Sequence, residues 1–512
     1  MNKSHKITIP LLILFIFSLS FTIQAGELHL AVKEGNIQKV KELLNQGADI
    51  DAMDEKQSTP LHIAVKENKK DIAELLITRG ASIDAQNKSG YTPLHLACIL
   101  GYVEIVRLLI EHHAEVNALS NTHFTPLHFA AQEGHLDICK LLIDAGANVH
   151  SINIDGATPL HSAAIRGNTS ACELLLNHGA IVNAEDNEGR TPLFYALHEN
   201  HYQTAKFLLE HGAHLNLPAE DGFTFLHYAA QYQDSIMLDL LLDYGADPNV
   251  KTDEGMTPLH YACRKSDIIY QSGETLKIAT LFPNPYIIKK LIEKGANVNA
   301  KCGNFESVRK WTPLHFAAEA GDPTACELLI THGANVNARD SSDVSNTKGQ
   351  TPLHIAALHA YNEVCKILIQ HGADLNLVGQ HNVAEINGTP LHFAVYANEA
   401  KTCSLLINMG ADVNAPNQYG ETPLLYFLFS AGDDESDIPS LLIRHGAKTN
   451  VRDEEGNTPL HLAVQLGSPG YCRLLLDAGA DPSIKNNEGK TPLDIAREKQ
   501  NTELINILTN KP

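Results

Sequence analysis

The side chains of this chain that could do chemistry are its histidines and cysteines, 27 of the first and nine of the second among 512 residues. Imidazole and thiolate are the ligands that hold zinc, so such numbers invite a metal-site reading. The spacing opposes it. Eleven histidines (His29, His62, His95, His128, His161, His227, His260, His315, His354, His392 and His461) occupy one position of a repeated sequence. Equivalent positions on stacked helices lie about 8–10 Å apart, whereas zinc–nitrogen bonds are about 2 Å long. No His-Glu-x-x-His occurs, and His198-Glu199-Asn200-His201 has the wrong spacing. No metal ligand is assigned.

The cysteines follow the same repeat. Cys139, Cys172, Cys326, Cys365, Cys403 and Cys472 each lie 14 residues after a threonine, and Cys98 and Cys263 lie 6 after theirs, as small apolar side chains in a recurring slot. An odd count and equivalent positions in separate units oppose a disulfide framework. Cys302 falls outside both slots and is the candidate for a reactive thiol. There is no phosphate-binding glycine loop, no Gly-x-Ser-x-Gly and no Cys-x-x-Cys. No catalytic residue and no cofactor are assigned, and the chain is read as a non-enzyme.

The elements that carry these residues announce themselves by period. A Thr-Pro-Leu-His sequence or a near copy begins at Thr59, Thr92, Thr125, Thr158, Thr191, Thr224 and Thr257, at a constant spacing of 33. It resumes at Thr312, Thr351, Thr389, Thr422, Thr458 and Thr491, giving 13 copies, and Gly26 opens a fourteenth unit in the same phase. Threonine is a helix N-cap, and proline at the next position gives up a donor that would be unpaired there anyway. The histidine three residues after the threonine stands where a capping-box side chain reaches back to the cap.

Within one unit, Leu94, Leu96, Ala97 and Cys98 make a short apolar helical face. Gly101 breaks it, and Ile105, Val106, Leu108 and Leu109 make a second. Gly-Ala pairs such as Gly80-Ala81, Gly146-Ala147 and Gly179-Ala180 close the second helix with a left-handed cap. Helices of about two turns do not persist alone, so each must bury its face on the next unit, which makes a solenoid. This pattern resembles the ankyrin repeat over residues 26–512. The resemblance implies an all-α solenoid of about 14 helix-turn-helix units with projecting hairpin-like fingers. It also implies recognition of a protein partner by fingertips and the concave helix face.

Residues 1–25 read differently. Lys3 and Lys6 precede the apolar run Leu11–Leu19, and Ala25 ends the segment, the pattern of a secretory signal peptide. The alternative is an uncleaved membrane anchor, since Ile7–Ile23 spans 17 residues, the lower limit for crossing a bilayer. Pro10 and the absence of a linker before the first repeat favour cleavage and export. A formal net charge of −21 repels phosphate backbones and anionic lipid, so nucleic acid and peripheral membrane are not expected partners. Membrane association is expected only if the N-terminal segment stays uncleaved. Secreted ankyrin effectors of intracellular bacteria, which dock a protein of another organism, are the function class the resemblance suggests; a membrane-anchored structural scaffold is the alternative.

In a regular array the departures are informative. They fall at 266–285, between the two helices of one unit, and at the enlarged fingers 299–311, 337–350 and 376–388. The only tryptophan, Trp311, stands just before a threonine, a position the resemblance makes exposed; Tyr91, Phe124, Phe223 and Met256 hold the same position, with Tyr232 on the facing helix surface. Aromatic side chains so placed are candidate partner-binding anchors. Leu425 replaces the repeat histidine near the acidic run Asp433-Asp434-Glu435, which predicts a softer joint there. Asp494 replaces it in the last unit.

Overall fold

The computed structural model describes residues 26–215, 221–272, 275–303, 310–340, 349–381, 386–430 and 436–509, with 268–272, 275–278 and 381 by backbone alone. The segment read as signal peptide or anchor lies outside the described residues. So do the tips of all three enlarged fingers and the acidic run after Ser430. Among the described residues no helix is long and apolar enough to cross a membrane.

Fourteen helix pairs follow one another, from 26–34 with Ile37–Asn45 to Pro492–Glu498 with Thr502–Thr509. The chain divides into two compact units, residues 1–217 with six pairs and 218–512 with eight. In twelve of the fourteen pairs a threonine with extended backbone caps the first helix, as at Thr92 with φ −83° and ψ 167°, and in all of these but the one where Phe225 follows Thr224 the helix starts at a proline. Gly101 ends the helix after Thr92 in the left-handed region at φ 75°. A Cβ there would also stand 2.7 Å from the ring of His135 in the next repeat, so both conformation and space require glycine.

The core repeats as well. The leucine two residues after each threonine is fully buried at Leu61, Leu94, Leu127 and Leu160, as it is at Leu259, Leu314, Leu353 and Leu391. Three positions on, Ala64, Ala97, Ala130, Ala317 and Ala356 are buried too. The small side chain lets successive first helices approach closely while each leucine adds about 2 kcal/mol of burial. A second set of bonds joins the ends of the second helices. The Asn117 side-chain amide donates to the Gly146 carbonyl at 3.1 Å, and its oxygen accepts the Asn148 N–H at 2.8 Å. Asn299 does the same with Gly333 and Asn335 at 2.9 and 2.7 Å.

The all-α architecture carries two small additions. Strands β1 (Ser266–Ser272) and β2 (Thr275–Leu281) form an antiparallel hairpin between helices Pro258–Ala262 and Pro285–Glu293, pairing Ser266 with Leu281 and Ser272 with Thr275. Strands β3 (Gly379–His381) and β4 (Ile386–Gly388) pair antiparallel at the base of the finger before Thr389. Gly379 packs on the His354 ring, where a Cβ would come within 2.8 Å.

Candidate protein-binding surface

The repeat histidine has two jobs. In ten repeats its Nδ1 accepts the N–H of the threonine three residues earlier, at 3.0–3.2 Å. Its Nε2–H donates to a backbone carbonyl at the base of the following finger, at 2.9–3.3 Å. His29, which has no threonine before it, keeps the second bond, to the Ser58 carbonyl at 3.0 Å. A ring that accepts at Nδ1 carries its proton at Nε2 and is neutral. Burial holds His95, His128, His260, His315 and His392 down to about 4 and His354 to about 3. Capping was legible in the sequence. The bond to the next finger was not.

That bond reaches four of the six aromatic and methionine candidates, which carry the accepting carbonyl: Tyr91, Phe124, Met256 and Trp311. Tyr91 stacks on His95 at 5.9 Å and meets Phe129 edge-on at 5.3 Å, and Phe124 lies against the same Phe129 at 5.2 Å. Phe223 stacks on His227 and meets Tyr261. Tyr91, Phe124 and Phe223 are half-buried, whereas Tyr232 is 42 % exposed beside Tyr228.

The exposure expected of Met256 and Trp311 is corrected: they are only 5 % and 6 % exposed. Trp311 stacks on His315 and meets Phe316 edge-on. Its indole N–H donates to the Asp340 carboxylate at 3.3 Å, and its carbonyl accepts both the Cys302 N–H and His260 Nε2–H. It is a strut between successive fingers. The missed signal was the aromatic four residues after the threonine, Phe129, Tyr261 or Phe316, which gives Trp311 in its own repeat, and Tyr91 and Phe223 in the repeat before, a ring to pack on.

The enlarged fingers have closed bases. Asp340 N–H donates to the Gln350 carbonyl at 3.1 Å and its carboxylate accepts the Gln350 N–H at 2.7 Å, closing the loop between them. The next is closed by β3 and β4, with the Gly388 carbonyl held by His354 at 3.1 Å. Cys302, the candidate reactive thiol, is 7 % exposed, and burial pushes its pKa up. All nine cysteines are buried. Among the described residues no group of three or more His, Cys, Asp or Glu could hold a metal ion.

The two substituted repeats differ from each other. Asp494 rebuilds the capping box, its carboxylate accepting from the Thr491 N–H at 3.0 Å and hydroxyl at 2.7 Å. Leu425 is fully buried and caps nothing; only its own N–H reaches the Thr422 hydroxyl, at 3.5 Å.

A comparison with curated proteins finds no match. Family comparison matches the family described as ankyrin repeats (3 copies) over residues 28–120, 79–153, 127–219, 276–379 and 427–512. Two further ankyrin repeat (many copies) families match residues 208–262 and 353–407. With most of its length matched and fourteen helix pairs in register, the chain belongs to the ankyrin-repeat family.

Proposed function

We propose that this chain is an exported ankyrin-repeat protein that docks a protein of another organism, with the irregular stretch Ser266–Gly388 supplying the specificity. Ankyrin repeats mediate protein–protein binding, and proteins built from them are generally interaction scaffolds rather than enzymes. The observation that carries the placement is the adjacency of four departures from an otherwise regular repeat, each on a built base. These bases are the β1–β2 hairpin, the Trp311 strut, the Asp340–Gln350 pair and the β3–β4 pair. Loops accept insertions at little thermodynamic cost, but bonds that fix the roots of several successive insertions favour a surface held ready for a partner. Phe223 and Tyr232, which keep partial exposure in the same unit as this stretch, are the proposed supporting contacts, and Tyr91 and Phe124, partly exposed in the first unit, are proposed partner contacts of that unit by itself. The charge pattern at Lys3 and Lys6, with the apolar run and Ala25, supports export.

Two measurements test the reading. Fingers 299–311, 337–350 and 376–388 cut back to the regular length should abolish partner capture while leaving the helical circular dichroism intact; undiminished capture would overturn the placement. The N-terminal sequence of the purified protein should begin at Gly26. A chain that starts at Met1 and stays in the membrane fraction would point instead to the anchored scaffold.

A further inference from the structure

A cleft of about 600 Å³ opens on the last three repeats. Its walls are two neighbouring fingers, around Glu454 and Glu488, its floor is made by Leu462 and Ile495, and Phe429 stands at its rim. The floor residues are buried, 4 % and 6 % exposed, whereas Phe429 is 69 % exposed, the largest value among the exposed large apolar side chains of the described residues. The walls are braced. Asn487 N–H and its side-chain amide donate to the carbonyls of Glu455 and Glu454, both at 2.9 Å, and the Asn486 amide donates to the Asn457 side-chain oxygen at 3.0 Å. The cleft therefore needs little rearrangement to receive a ligand.

Charge decides what fits. The lining holds Asp453, Glu454, Glu455, Glu488 and Glu498 against two lysines. Lys490 is engaged by Glu488 at 3.0 Å and Glu498 at 2.9 Å, and Lys499 donates to the Gln465 carbonyl. Asp453 accepts the Asn457 N–H at 2.6 Å. Glu454 and Glu455 are exposed and make no ion pair among the described residues. Their field reaches Glu421, whose carboxyl is pushed up first by burial and then by Asp453, Glu454 and Glu455. An anion is repelled here. A guanidinium or ammonium group is attracted to the exposed carboxylates of Glu454 and Glu455, and the open face of Phe429 offers an apolar contact beside them.

We propose that this cleft binds an extended segment of a partner protein that alternates basic and apolar side chains, the basic ones between Glu454 and Glu455 and an apolar one against Phe429. This deepens the docking reading above and rests on it, at a place distinct from the enlarged fingers. Exposed ion pairs contribute modestly and are screened by salt, so the aromatic contact is needed to hold the segment.

The test uses the full chain and a short fluorescein-labelled peptide alternating Arg and Leu, followed by fluorescence anisotropy. Its counterparts replace Arg by neutral citrulline or Leu by Ser. The Arg–Leu peptide should bind and the citrulline peptide should not. Glu454→Gln with Glu455→Gln should weaken binding about fivefold or more. Phe429→Ala should weaken the Arg–Leu peptide and leave the weaker Arg–Ser peptide unchanged. A control with the same charge change at the exposed Glu74 and Glu111, outside the cleft, should have no effect. All variants alter exposed side chains, and circular dichroism confirms their folding. Equal binding of the citrulline peptide, equal loss in the control, or no binding at all would overturn the cleft proposal. None of these outcomes touches the finger reading, which fails only if the shortened-finger protein keeps its partner.

Discussion

His95 ties two repeats together at one ring. Its Nδ1 accepts the Thr92 N–H at 3.1 Å within its own repeat, and its Nε2–H donates to the Phe124 carbonyl at 3.0 Å in the next. The same ring caps a helix and closes the finger that follows. Since ankyrin helices are too short to stand alone, a residue serving both repeats couples local helix start to the stacking that makes the helix stable.

His128→Ala should therefore be severely destabilising. The substitution leaves the buried Thr125 N–H and Ala157 carbonyl without their partner and opens a cavity beside Phe124. An unsatisfied buried polar group costs about 1–3 kcal/mol, to which the cavity adds. Urea unfolding followed by circular dichroism should show a loss of at least about 2 kcal/mol; a change under about 0.5 kcal/mol would contradict the double role.

Stability should fall as the solution is acidified from about pH 6.5 towards pH 4. Histidine titrates near 6.5 when unfolded, but His95, His128, His260, His315 and His392 are held at about 4 in the fold. Between these values the unfolded state binds more protons, so their contribution is complete above about pH 6.5 and is lost as pH falls through the window, at up to about 1.4 kcal/mol per histidine per pH unit. Urea midpoints at pH 7.5, 6 and 5 should decline in that order. Equal midpoints would show that the rings are already charged in the fold or free in both states.

Trp311 should report on the joint between two fingers rather than on partner binding. Its native fluorescence should be blue-shifted, because the ring is 6 % exposed, and should move red on unfolding. Trp311→Phe keeps the contacts with His315 and Phe316 in kind but removes the N–H donated to Asp340. A loss of about 1–2 kcal/mol follows, since that acceptor is charged. Water-like native emission, or a neutral substitution, would return Trp311 to the surface.

Amides at 425–430 should exchange with solvent faster than those at 461–466. Leu425 provides burial but neither of the two ring bonds that His461 makes to Thr458 and to the Lys490 carbonyl. Local opening is easiest where such bonds are fewest. Equal protection in hydrogen-exchange mass spectrometry would show that the leucine's packing fully offsets them.

Much of the fold could be read from the chain because ankyrin architecture is encoded at short range. Thr-Pro-x-His places a cap, a helix-starting proline and a capping side chain within four residues, and a period of 33 repeats the instruction. The hairpin at Ser266–Leu281 was visible only as extra length, since its pairing depends on strands meeting across a turn. The candidate surface was less legible. Tyr91 and Trp311 share one repeat position, yet Tyr91 is half-buried and Trp311 is almost wholly covered. Both stack on the histidine of their own repeat and meet a phenylalanine edge-on; what Trp311 adds is an indole N–H tethered to Asp340 of the next finger, a residue that reaches it only after folding.

By itself, then, the sequence determined the repeated helix pair, the capping role open to each repeat histidine and the places where the repeat is interrupted, because each depends on residues a few positions apart or on the repeat period. Tertiary structure alone decided which carbonyl each Nε2–H would reach, that Met256 and Trp311 would be inside, and that Phe429 would stand over an acidic cleft. Those outcomes depend on surfaces from successive repeats meeting, and burial belongs to the pair of surfaces rather than to either residue.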